Sequence, residues 1–135
     1  MPFREKSAWI SLFCLVIAFG TFSLGRKFVP SGNQEAGLFF VCVAAFVVLR
    51  VVLYIIARVT APEDARAPLD ERERFIGLRA ASNANTALIV GVLIVPLSMH
   101  LGTSKPEMGY LAMMAIIVAE IVREVSRIAY FRQGR

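Results

Sequence analysis

Long apolar blocks alternate along this chain with short segments rich in Arg, Glu, Pro and Gly. Residues 39–49 and 111–119 are apolar at every position. Spanning β-strands would instead show runs of about 10 residues alternating between apolar and polar. About 20 residues at 1.5 Å rise cross ~30 Å of hydrocarbon. The pattern therefore predicts an all-α fold: a bundle of four transmembrane helices forming a single membrane domain over residues 1–135. The spans are expected at about 7–25, 36–58, 83–102 and 108–130, with a loop at 59–82. The first block follows Arg4 and Lys6 but runs about 19 residues without a convincing small-x-small cleavage site before Arg26 and Lys27, so it reads as a retained helix rather than a signal peptide.

Local signals refine these boundaries. Ser7 is a candidate N-cap for the first helix, Trp9 has the character of an interfacial aromatic, and Pro30, Ser31, Gly32 and Asn33 mark a turn. Pro62 and Pro68 confine the irregular part of the 59–82 loop to about 60–69. Asp70 and Glu73 then have capping-box spacing. One long helix is expected from about 70 to 101, amphipathic at first, with Phe75, Leu78 and Ser82 on one face and Pro96 as a possible kink site. The fourth helix is expected after Lys105 and Pro106. A faint hairpin repeat pairs Glu35-Ala36-Gly37 with Glu107-Met108-Gly109.

Composition fits the pattern, with 57% apolar residues and a mean hydropathy of +0.64. A net charge of +5 would suggest nucleic acid as the partner of a soluble protein, but the basic residues are distributed as in a membrane protein. Arg4, Lys6, Arg58, Arg66, Arg72, Arg74, Arg79, Arg132 and Arg135 fall on one side of the expected topology, and only Arg26, Lys27 and Lys105 on the other. The positive-inside rule then places both termini and the 59–82 loop in the cytoplasm, with the third helix extending into it. Cys14 and Cys42 lie near opposite faces, at about 10 Å from the inner and 9 Å from the outer surface, too far apart for a disulfide. They are expected to be packing or lipid-facing residues.

The chemistry is concentrated in charges at membrane depth. Counted from the outer ends of their helices, Arg50 is about 21 Å deep and Glu120 about 18 Å. Glu120, Arg123, Glu124 and Arg127 share one stripe at i, i+3, i+4 and i+7, which should face the bundle. One reading is a structural ion network in which Arg50 pairs with Glu120 or Glu124. The other is a polar cavity whose carboxylates bind a cation, a proton or an amphiphile's head. Asn83 and Asn85, with Ser82 and Thr86, form a polar entry to the third helix and suit either interhelical hydrogen bonds or that cavity. Met99, His100 and Met108 lack metal-ligand spacing, and no phosphate loop or nucleophile motif is present. No metal, cofactor or catalytic residue is expected, and an enzyme is the least supported class.

The run Leu69-Asp70-Glu71-Arg72-Glu73-Arg74-Phe75-Ile76, with the opening Phe3-Arg4-Glu5-Lys6-Ser7-Ala8-Trp9-Ile10, resembles a group of small uncharacterised bacterial inner-membrane proteins. These have a D-E-R-[DE] segment before their third helix. The resemblance implies a multi-pass protein of the bacterial cytoplasmic membrane and supplies no site residue. Small multidrug transporters share the size but keep an essential acid in the first helix, and residues 7–25 hold none. Small fluoride channels have a Gly-rich motif around an Arg that is missing here. The leading expectation is a non-catalytic subunit, assembly partner or modulator of a membrane complex. Its expected partners are lipid and another membrane protein or further copies of itself, with no role for nucleic acid. The alternative is a small homo-oligomeric transporter or channel using Glu120 and Glu124 with Arg50.

Overall fold

The computed structural model describes residues 3–29, 33–60, 63, 68 and 70–134. The expected features at Pro30, Ser31, Gly32, Pro62, Arg66, Leu69 and Arg135, and the side chain of Arg4, lie outside the described residues. The described chain is helical: α1 (Phe3–Gly25), a short 3₁₀ turn (Arg26–Phe28), α2 (Asn33–Thr60), α3 (Glu71–His100) and α4 (Lys105–Gln133). Three helical segments, Glu5–Phe28, Asn33–Thr60 and Glu71–His100, are long and apolar enough to cross a membrane, with mean hydropathies of 2.0, 2.8 and 1.6. α4 has the length at 29 residues, but Glu120, Arg123, Glu124 and Arg127 interrupt its apolar run.

Capping chemistry sets the helix starts. Asp70 caps α3 in a capping box with Glu73, as its spacing predicts. An equivalent box at Ser104 and Glu107 starts α4 a turn earlier than expected. There the Ser104 backbone N–H and hydroxyl both donate to Glu107 Oε2, at 3.1 and 2.9 Å. The hydroxyl bond first, and then the backbone bond, hold the Glu107 carboxyl below its ordinary pKa. α3 ends in a Schellman arrangement, in which Thr103 N–H donates to Ser98 O and Gly102 N–H to Met99 O. Gly102 takes the left-handed φ of +78° that this turn needs.

Ser7 does not cap α1, because the helix already begins at Phe3. The physical reason lies at Glu5: its carboxylate suits the first turn of a helix and is buried within 3.6 Å of Arg132 on α4. The polar opening segment is thereby drawn into the helix.

α1 packs on α2 and on α4, while α3 packs chiefly on α4. The buried positions Ala8, Ser11, Leu15, Phe19 and Phe22 repeat on α1 at steps of three and four, giving a coiled-coil-like seam. Cys14, Leu15, Phe19 and Phe22 of this helix form the core with Phe39, Cys42 and Phe46 of α2 and Ile117 of α4. Phe22 meets Phe39 edge-on at 5.5 Å, and Phe19 lies 6.0 and 6.2 Å from Phe39 and Phe46. Such pairs are worth about 0.5–1.5 kcal/mol each beyond area burial. Cys14 and Cys42 are both buried and free.

The α3–α4 contact follows different chemistry. Phe75, Leu78 and Ser82, expected together on one face of α3, are exposed, and Ile76 and Ala80 are buried. Ala80, Ala84, Ala87 and Gly91 recur at i, i+4, i+7 and i+11 on the least exposed face. Small residues let helix backbones approach closely, whereas large apolar side chains lose little by facing lipid-like surroundings. At Gly91 the approach is closest: a β-carbon there would lie 2.6 Å from Ala115 Cβ and 3.2 Å from its Cα.

Replacing Gly91 with Val should therefore separate α3 from α4 and cost about 1–3 kcal/mol through overpacking. Reversible unfolding in mixed detergent micelles measures this, and an unchanged midpoint would refute the close-approach argument.

Candidate functional site

Along α4, Ile117, Ile121, Glu124 and Ile128 follow one another at steps of three and four, so Glu124 takes a core position between isoleucines. Its side chain is 1% exposed. A carboxylate in that position stays charged only when cations and donors replace its lost hydration. Three guanidiniums do so. Arg127 Nη1, one turn along α4, donates a hydrogen bond to Glu124 Oε2 at 3.2 Å. Arg50 Nη2 from α2 and Arg123 Nη2 from α4 each stand 3.6 Å from Glu124 Oε1. That distance gives Coulombic attraction without a hydrogen bond, and Oε1 is buried with no hydrogen-bond partner.

Glu120 is brought to the same cluster but not to Arg50. It pairs with Arg123 at 2.8 Å, one turn along its own helix, and both remain about one-third exposed. The five expected site residues thus converge, with Glu124 as the centre and Glu120 at the rim. The stripe does not face uniformly inward: of the four only Glu124 is buried, because the i, i+3, i+4, i+7 set is wider than the contact α4 makes with α1.

Asn83 bridges α3 to α4, its side-chain amide donating to Ser126 Oγ at 3.2 Å and Tyr130 Oη at 3.1 Å. Asn85 points away and is exposed. Met99 and His100 are likewise exposed, and among the described residues no group of three or more His, Cys, Asp or Glu could hold a metal ion.

Two further charge pairs tie the helix ends together, and neither has a spacing signature. At the end of the bundle where the termini lie, buried Glu5 pairs with Arg132, whose guanidinium sits 5.4 Å above the Trp9 ring. At the other end, Arg26 pairs with buried Glu35, and its guanidinium stacks on Tyr110 at 3.7 Å. That second site joins the turn after α1 to the starts of α2 and α4, and it combines ion pairing with a cation–π contact. The only sequence hint is that Arg26 and Glu35 flank the same short turn.

Glu124→Gln should leave the three guanidiniums without their shared anion and cost about 3–5 kcal/mol of stability. Glu120→Gln should cost about 0–1 kcal/mol, since its pair is partly solvated. Unfolding titrations of both variants in the same micelles make the comparison, and equal losses would show that burial of Glu124 is not what organises the cluster.

No known family model, curated protein or solved structure matches the chain, so its function has to be argued from this arrangement of side chains.

Proposed function

We propose that this chain is a four-span protein of the bacterial cytoplasmic membrane that acts without catalysis as a subunit, assembly partner or modulator of a membrane complex. The observation that carries the reading is the state of α3. It is held along one narrow line of small residues, and Ile89, Val90, Val92, Leu93 and Leu97 are exposed around the rest of its surface. Beside the α3–α4 seam runs an apolar groove of about 510 Å³, bounded by Val90, Ile94, Met114 and Val118 and ending at Asn83 and Thr86. Such a groove, with polar groups at one end, suits a further helix that supplies apolar packing and one hydrogen bond.

The fourth span is α4, whose charges need not prevent insertion because each carboxylate in its second half is held by arginine. The excess of basic residues on one side supports an orientation with both termini and the 59–82 segment in the cytoplasm. The resemblance to small bacterial inner-membrane proteins supports the location.

The transporter reading draws on the same charges. A coupling acid works best when it can be left unpaired, whereas Glu120 and Glu124 both already engage guanidiniums. That pairing favours the structural role.

Two experiments bear on the proposal. In a Cys14→Ser, Cys42→Ser background, a cysteine replacing Glu63 should react with an impermeant maleimide only after the membrane is opened, and one replacing Lys27 should react from outside. The reverse pattern would overturn the orientation. Affinity purification of the full chain from native membranes in mild detergent should bring down a stoichiometric membrane partner or a second copy. Recovery of a lone monomer, or proton or cation flux in proteoliposomes that disappears in Glu120→Gln, would overturn the subunit reading.

A further inference from the structure

At the end of the bundle where the termini lie, α1, α2 and α4 diverge around a cleft of about 300 Å³. Ser7 and Ser11 of α1, Arg50 and Tyr54 of α2 and Arg127 of α4 line it, and none of its lining residues is acidic. The volume lies at the small end of the ~300–1,000 Å³ range of ligand pockets. Two guanidiniums from different helices and three hydroxyls therefore converge on one space rich in donors.

The neighbouring ion network leaves one of those guanidiniums underused. Arg50, Arg123 and Arg127 share only Glu120 and Glu124, an excess of one positive charge. Arg127 holds Glu124 Oε2 at 3.2 Å, and Arg123 makes its short contact with Glu120 at 2.8 Å. Arg50 is the residue least engaged: among the described residues its one ion-pair contact is that at 3.6 Å to Glu124 Oε1, its guanidinium lies 5.9 Å from the Phe46 ring centre, and it donates no hydrogen bond. A guanidinium presents five N–H donors in a planar fork that matches two oxygens of a phosphate. Arg127 also lines a second cleft on the α3 side with Arg74, Arg123 and the acidic Glu73, so the lining there keeps a positive excess.

We propose that this cleft binds a phosphate group, with the Arg50 fork and Arg127 on its oxygens and the Ser7, Ser11 and Tyr54 hydroxyls as further donors. The bound anion balances the surplus guanidinium. With the termini in the cytoplasm, the cleft opens at the level of the inner-leaflet headgroups, where an anionic phospholipid could supply the phosphate. Free phosphate from the cytoplasm offers the same chemistry.

The test uses the full chain in dodecylmaltoside micelles. Phosphatidylglycerol or phosphatidylcholine is titrated and retained lipid counted by native mass spectrometry, while sodium phosphate is titrated by calorimetry in a parallel arm. The proposal expects one tight site for either phosphatidylglycerol, preferred at least tenfold over phosphatidylcholine, or free phosphate. Lipid retention that sodium phosphate does not displace assigns the lipid as the source, and displacement or a direct phosphate heat assigns the free anion. Arg50→Gln should weaken the site at least tenfold. Arg50→Lys, which keeps the charge and loses the fork, should weaken it severalfold and serves if the Gln variant does not fold. Arg79→Gln, on the exposed face of α3, should leave it intact. Wild-type binding in the Arg50 variants, an equal loss in Arg79→Gln, or no preference together with no phosphate heat would overturn the proposal.

Discussion

A charged carboxylate among isoleucines has few tolerable surroundings, and those of Glu124 draw two helices together. The core spacing of α4 turns Glu124 inward, and its own helix supplies Arg123 and Arg127 one turn away or less. A third guanidinium has to come from another helix. Arg50 provides it, and so ties α2 to α4 at 3.6 Å. Sliding α2 by one turn would move Arg50 by about 5.4 Å and take it out of reach of Glu124, which would keep only Arg123 and Arg127. The aromatic packing of Phe19, Phe22, Phe39 and Phe46 contributes binding surface on the far half of the bundle, but apolar contacts alone tolerate such slippage far better.

The two ends of the bundle are closed in different ways. At the turn end, Arg26, Glu35 and Tyr110 form a stacked ion pair, and the second turn uses glycine and backbone hydrogen bonds. At the terminal end, Glu5 and Arg132 draw the first and last turns of the chain together beside Trp9. Between them the character changes from aromatic core to charge cluster, and the donor-rich cleft opens on the charged half. The larger charge cluster thus lies in the half that holds Glu5 and Arg132, and a smaller one at Arg26 and Glu35 closes the other end.

Much of this is readable from the sequence because it follows from spacing within one helix. Period and length identify the helices, the Asp70 and Glu73 pair marks the start of α3, and the i, i+3, i+4, i+7 run gathers the α4 charges. What is not readable depends on which helices become neighbours. Glu5 with Arg132 and Arg26 with Glu35 are brought together only by the finished bundle. The contact face of α3 is not readable from its large apolar side chains: Phe75 and Leu78 are exposed, while the small residues Ala80, Ala84, Ala87 and Gly91 form the least exposed face. The Ser104 and Glu107 box is obscured by Lys105 and Pro106 between them, which resemble loop chemistry although proline suits a helix's first turn.

The α3–α4 seam is narrow, but its two helices are joined by only the short stretch around Gly102, from the end of α3 at His100 to the start of α4 at Lys105. A tether that short keeps the effective concentration of α3 beside α4 in the millimolar range or above. Any competing helix arriving from the bilayer would have to outbid a rival that is never diluted. α3 is therefore not a removable stopper over α4, and a newcomer can join only by extending the row of helices on the open flank. The geometry selects for addition over exchange.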